Sequence, residues 1–183
     1  MHTMDKEQYK GIQVFAEQRE GVVQNVAFEL IGKARELADS IGEKVTAVLL
    51  GQNVANLNQE LIAAGADRVL LVEHDLLKDY VTEQYAQAIT HILNTYKPEI
   101  FLLGATTIGR DLGPRLSARM HTGLTADCTS LEIGDHEDKK EGKVYKNLLY
   151  QIRPAFGGNI VATIINPDCR PQMATVREGV MKK

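Results

Sequence analysis

Val45-Thr46-Ala47-Val48-Leu49-Leu50, closed by Gly51, is the stretch on which the fold turns. Six nearly unbroken apolar residues, with β-branching at Val45, Thr46 and Val48, make a strand that has no polar face. A strand of this kind is buried on both sides, which happens chiefly in parallel sheets covered by helices. The segments around it agree. Upstream, Gly11-Ile12-Gln13-Val14-Phe15-Ala16 is another short apolar strand. Between the two, Val22, Val23, Val26, Ala27, Leu30, Ile31, Ala34, Leu37, Ala38 and Ile41 recur at three- and four-residue steps, one face of a long helix stopped by Gly42. Downstream, Val54 to Ala64 reads as a helix ended by Gly65, and Arg68-Val69-Leu70-Leu71-Val72 as a strand. A third helix is marked by Val81, Tyr85, Ala88, Ile89, Ile92, Leu93 and Tyr96, with Pro98 beyond it, and Ile100-Phe101-Leu102-Leu103 is the next strand. Strands alternating with helices predict an α/β fold: a doubly wound, mostly parallel sheet with helices on both faces. In such sheets ligands meet the loops at the carboxyl ends of the strands, here after Ala16, Leu50, Val72 and Leu103.

The last third changes character. Leu124 to Ile133 reads as one strand, the mixed-charge run Asp135 to Gly142 as a solvated hairpin tip, and Val144 to Ile152 as the strand that pairs back. Asn159 to Ile165 and Gln172 to Val176 are further strands. Together they predict a C-terminal β-extension of the sheet rather than a second domain. Residues before Lys10 are expected to be disordered.

Composition narrows the function classes. The chain has 183 residues, and a net charge of −3 disfavours a nucleic-acid binder. No apolar run approaches the ~20 residues of a membrane span, and the polar N-terminus is not a secretory signal. Two cysteines without a CxxC spacing, Cys128 and Cys169, suit a reducing cytoplasm and no disulfide framework. The five histidines are scattered without metal-ligand spacing, so no metal site is expected.

Two segments carry candidate chemistry. Gly104-Ala105-Thr106-Thr107-Ile108-Gly109-Arg110 joins a strand to a helix whose N-terminus could receive a phosphate. It is neither a P-loop nor GxGxxG, so a tight turn with closely packed glycines and pairing arginines is the competing reading. Arg153-Pro154-Ala155-Phe156-Gly157-Gly158-Asn159 sets a permanent cation, a flat apolar ring and a flexible backbone at one corner. An arginine beside a flavin's N1/N5 edge would favour its reduced, anionic form. The same residues also make an ordinary strand–turn–strand corner.

These two segments, followed by Gly123-Leu124-Thr125-Ala126-Asp127 and Arg170-Pro171-Gln172-Met173-Ala174-Thr175-Val176-Arg177, resemble the N-terminal domain of electron transfer flavoprotein α-subunits. The likeness runs from the first strand to about Met181. Glu178 departs from it, standing where proline is expected. The resemblance implies an adenine-nucleotide-hydrolase-like α/β fold and a single N-terminal domain over residues 1–183, ending before a C-terminal FAD-binding domain. It implies an electron carrier rather than an enzyme acting on a metabolite. The carrier would form a heterodimer with a β-subunit and serve a dehydrogenase such as an acyl-CoA dehydrogenase. Its FAD would be held mainly by the C-terminal domain, with none bound tightly to this chain alone.

The form RPAFGGN is similar to the flavin-bifurcating group, in which the β-subunit holds a second FAD. That likeness makes Arg153 the contact to the flavin N5 edge, with Pro154, Phe156, Gly157, Gly158 and Asn159 shaping the wall. A small nucleotide-binding protein of the universal-stress type is the alternative, with ATP or AMP on the loops after Leu50 and Leu103.

Overall fold

A computed structural model describes residues 4–182. The strands and helices, in chain order, are β1 (Ile12–Phe15), β2 (Gln18–Arg19), β3 (Val22–Val23), α1 (Asn25–Ile41), β4 (Val45–Gly51), α2 (Asn58–Ala63), β5 (Arg68–Glu73), α3 (Thr82–Tyr96), β6 (Ile100–Gly104), α4 (Thr107–Arg119), β7 (Leu124–Cys128), β8 (Ser130–Asp138), β9 (Lys143–Pro154), β10 (Val161–Ile164) and β11 (Gln172–Val176). Six of the strands form one sheet in the order β5-β4-β1-β6-β11-β7, and every pairing in it is parallel.

The apolar strands are buried on both faces, as their composition requires. Side chains alternate across the sheet. Ile12, Val14, Val45, Ala47, Ile100 and Leu102 pack with α1 and α2. Phe15, Val48, Leu50, Phe101 and Leu103 pack with α3 and α4 on the opposite face. The chain winds outward from β1 to β4 and β5, then crosses back to β6 on the other side of β1. The reversal puts the topological switch point between the carboxyl ends of β1 and β6.

Strands β10, β9 and β8 form a separate antiparallel sheet. Leu131 and Leu149 bury its inner face in the core on the α1 side. The Gln172 side chain joins the two sheets: its Oε1 accepts from the Leu149 N–H (2.9 Å) and its Nε2 donates to Glu99 (3.2 Å). Glu99 in turn receives the Arg170 Nε–H at 2.7 Å.

Several boundaries differ from the sequence reading. Val22 and Val23 pair with Arg19 and Gln18 in a hairpin, and α1 begins only at Asn25; the extended form buries Val23 in the core and leaves Val22 exposed. The second helix is a turn of 3₁₀ helix at Ala55–Leu57 followed by α2. Leu124 to Ile133 is not one strand. Asp127 takes a left-handed conformation (φ 58°), so the chain leaves the parallel sheet at Cys128 and re-enters the antiparallel one at Ser130. The charged run continues β8 to Asp138, leaving only residues 139–142 as the hairpin tip. The strand expected at Asn159 to Ile165 is confined to Val161–Ile164. Strand β11 returns to the central sheet between β6 and β7 instead of joining the extension.

Residues 4–9 are ordered, against expectation. Asp5 caps a 3₁₀ turn, the Lys6 ammonium donates to the Pro167 carbonyl (2.8 Å), and Lys97 reaches Gln8. Residues 1–3, which fall under the same expectation, lie outside the described residues.

Candidate functional site

The carboxyl ends of β1 and β6 are closed by the chain's own groups. Glu17 lies two residues beyond the end of β1 and is 1% exposed. Thr106, the residue before α4, donates its hydroxyl to Glu17 Oε1 (2.5 Å) and accepts the Gly109 N–H (3.0 Å). Arg19 holds the other carboxylate oxygen of Glu17 at 2.9 Å. A buried carboxylate and a capping hydroxyl thus take the position where this fold usually receives a phosphate. The loop glycines serve packing: a Cβ on Gly109 would stand 1.7 Å from the Gly104 carbonyl oxygen. Arg115 and Arg119 pair with Glu83 of α3. The tight-turn reading of the Gly104 segment matches these contacts.

The Arg153–Asn159 corner is open. It lies at the end of β9, where the Ala155 N–H bonds the Ile160 carbonyl (2.8 Å) and closes a tight loop. Gly157 and Gly158 turn it with φ of 100° and 77°, a region other residues enter only with strain. Phe156 projects fully into solvent. A concavity of about 490 Å³ is lined by Arg153, Pro154, Ala155, Phe156, Ala162 and Ile164. Register explains the grouping, because Arg153 pairs with Ala162 and Pro154 with Val161 across β9 and β10. Gly157, Gly158 and Asn159 stand at the loop tip, outside that lining.

Among the described residues the Arg153 side chain forms no hydrogen bond or ion pair, so its planar fork of donors is free for a ligand. The ground beneath it is charged. Asp127 is held by Arg177 through two bonds (3.2 and 2.7 Å), which pull its carboxyl below the ordinary range despite partial burial, with Arg110 and Arg153 adding to the effect. The Cys128 thiol beside it is pushed up to about 11 by burial, which Arg153 opposes. The Thr129 N–H bonds the Ile152 carbonyl at 2.9 Å and fixes the Asp127 turn against the base of the corner.

The Electron transfer flavoprotein domain profile matches residues 12–183, nearly the whole chain. The chain belongs to the electron transfer flavoprotein family. It is 55% identical over 175 residues to an electron transfer flavoprotein subunit alpha from Thermoanaerobacterium thermosaccharolyticum, covering 96% of this chain and 50% of that protein. It is 52% identical over 180 residues to the subunit alpha of Clostridium acetobutylicum, covering 98% of this chain and 51% of that one. A lactate dehydrogenase (NAD(+),ferredoxin) subunit LctC from Acetobacterium woodii is 47% identical over 177 residues, covering 97% and 40% respectively. The chain therefore spans about half the length of these two electron transfer flavoprotein subunits.

In this member of the electron transfer flavoprotein family no described helix is long and apolar enough to cross a membrane. Among the described residues no group of His, Cys, Asp and Glu could hold a metal ion. Of the residues that matter at the two sites, Glu17 lay outside every segment quoted from sequence, and Thr106, Asp127 and Arg177 lay inside quoted segments without a role of their own. Glu17 had a legible signal, an acid directly after an apolar strand and so at the carboxyl edge of the sheet. Asp127 and Arg177 are 50 residues apart and meet only because β11 inserts beside β7.

Proposed function

We propose that this chain is the N-terminal domain of an electron transfer flavoprotein α-subunit, that it scaffolds a heterodimer with a β-subunit, and that its Arg153–Asn159 corner forms one wall of a flavin site completed by that partner. The observation that carries this reading is the free guanidinium of Arg153 on an open apolar concavity next to a fully exposed Phe156. The residues fit a flat ring presented edge-on: one cation, aliphatic walls and an aromatic face. They do not enclose a whole dinucleotide, and the nearby helix N-terminus that could take a pyrophosphate is already occupied by Glu17 and Thr106. FAD would accordingly be held mainly by other parts of the assembly, the β-subunit and a C-terminal domain.

When bound there, the flavin supplies one- and two-electron redox chemistry. The chain's own residues do the rest. Arg153 would donate hydrogen bonds to the ring edge, and its charge would favour the reduced, anionic form. Phe156 and Pro154 exclude water from that edge. Gly157, Gly158 and Asn159 set the shape of the loop that carries Phe156. On this reading the chain is a cytoplasmic electron carrier, with bifurcation supported by the RPAFGGN form and by the similarity to the LctC subunit. The electrons would come from a dehydrogenase of the acyl-CoA dehydrogenase kind.

The universal-stress alternative predicts ATP or AMP bound by the chain alone. The Glu17–Thr106 contact speaks against it, since a phosphate entering there would meet a buried carboxylate. Equilibrium dialysis of the isolated chain against ATP, AMP and FAD distinguishes the two. The expected result is weak flavin uptake by the chain alone and retention after mixing with a β-subunit. Tight ATP binding by the chain alone would overturn the proposal.

A further inference from the structure

A recess of about 390 Å³ opens at the opposite edge of the sheet, where β1, β4 and β5 begin. Three polar residues cross it in line. Gln13 of β1 pairs in register with Thr46 of β4, and Thr46 with Arg68 of β5. Register neighbours point the same way, so the amide, the hydroxyl and the guanidinium share one face. Burial there favours apolar side chains, and Phe15, Val48 and Leu50, two and four residues on, are apolar.

Gln13 is 2% exposed, and its Oε1 is wholly buried with no partner. Native proteins rarely leave such a group unsatisfied, so an unsatisfied carbonyl lining a recess calls for a donor brought in by water or by a ligand.

The groups around it are mainly donors. Arg68 spends its Nε–H on Thr46 Oγ1 (2.7 Å) and sets its guanidinium carbon 5.1 Å from the centre of the Tyr96 ring, and its terminal N–H groups have no hydrogen-bond partner among the described residues. Thr46 accepts that bond and keeps its own O–H to donate. Lys10 and Lys44 stand at the mouth. Of the two acids there, Asp67 is already taken by Arg35 (2.7 Å) and the Val45 N–H (2.8 Å). Three cations, Lys10, Lys44 and Arg68, therefore face two acids, Glu43 and an Asp67 already paired with Arg35.

We propose that the recess formed by Gln13, Thr46 and Arg68 is a binding site for a small oxyanion, inorganic phosphate above all. The donors match oxyanion oxygens, and the orphaned Gln13 carbonyl matches the O–H that phosphate retains at neutral pH and a carboxylate lacks. The site is independent of the flavin corner, which lies at the other end of the strands.

The test is a ¹H–¹⁵N NMR titration of this chain with sodium phosphate, sodium acetate and sodium chloride at matched ionic strength. Phosphate is expected to move the Gln13, Thr46 and Arg68 amides and the Gln13 side-chain NH₂ saturably. Arg68→Met should weaken that binding on the order of tenfold, the loss expected for one charge-assisted hydrogen bond. Arg68 is exposed, so this variant should fold, and Lys44→Met provides a second that leaves the ladder intact. Equal saturation by acetate would keep the site and widen its ligand to carboxylates. Absence of a saturable shift up to ~50 mM phosphate, identical shifts with chloride, or undiminished binding in both variants would overturn the proposal.

Discussion

Replacing Thr106 by valine probes the closed switch point directly. The two side chains have nearly the same shape, so the change removes a hydroxyl and leaves no cavity. Two bonds go with it. The first caps α4 through the Gly109 N–H, and an N-cap of this kind contributes about 1 kcal/mol. The second is the donor to Glu17 Oε1, a hydrogen bond to a charged group worth about 1.5–3 kcal/mol. Both Thr106 (4% exposed) and Glu17 (1%) are shielded, so water cannot step in for the lost donor. The expected loss is about 2.5–4 kcal/mol. With a urea m-value of about 2 kcal/mol/M, the unfolding midpoint should fall by roughly 1–2 M at constant m. The measurement is urea unfolding followed by far-UV circular dichroism. A midpoint within about 0.2 M of the parent would mean that the Glu17–Thr106 contact is not the closure described here.

Other parts of the structure make equally definite demands. Gly109→Ala puts a methyl group 1.7 Å from the Gly104 carbonyl oxygen, a clash of backbone against backbone. It should cost more than ~3 kcal/mol or prevent soluble expression, and a melting temperature close to the parent's would contradict that packing. Arg170→Met leaves the largely buried Glu99 without its cation and frees the Asn166 and Cys169 carbonyls, so a loss of about 3 kcal/mol is expected, with faster amide exchange in β9 and β11. Unchanged protection at Leu149 would refute the link between the sheets. Asp67 is held below its ordinary value of 3.8 by the Val45 N–H first, with Arg35 acting in the same direction against partial burial. Its contribution is therefore present above the unfolded value and is lost as pH falls through the folded one. Asp67→Asn should flatten that acid limb of a stability–pH curve, and a limb of unchanged steepness would count against the assignment.

Much of the parallel sheet was readable because its strands are apolar on both faces and its helices carry three- and four-residue spacing. The errors fell where tertiary contacts override local pattern. Val22 and Val23 carry the helical period yet form a hairpin strand paired with Gln18 and Arg19. The break at Asp127 is a single left-handed residue within an otherwise strand-like run. Order at residues 4–9 comes from contacts to Pro167 and Lys97, far away in sequence. Of the candidate site, Arg153, Pro154 and Phe156 were legible as a corner, whereas the Asp127–Arg177 pair beneath it needs the parallel insertion of β11. That Gln13 lines up with Thr46 and Arg68 follows only from the register of the parallel strands.

The central claim is that Arg153 meets a flavin held by the partner subunit. The most direct test is a redox titration of that flavin in the intact heterodimer carrying Arg153→Ala. Loss of a charge-assisted contact worth about 1.5–3 kcal/mol corresponds to roughly 30–60 mV for a two-electron couple. Because the arginine favours the anionic reduced ring, the potential should move in the negative direction by that amount. A heterodimer that assembles, retains its flavins and titrates at the parent potential would contradict the claim.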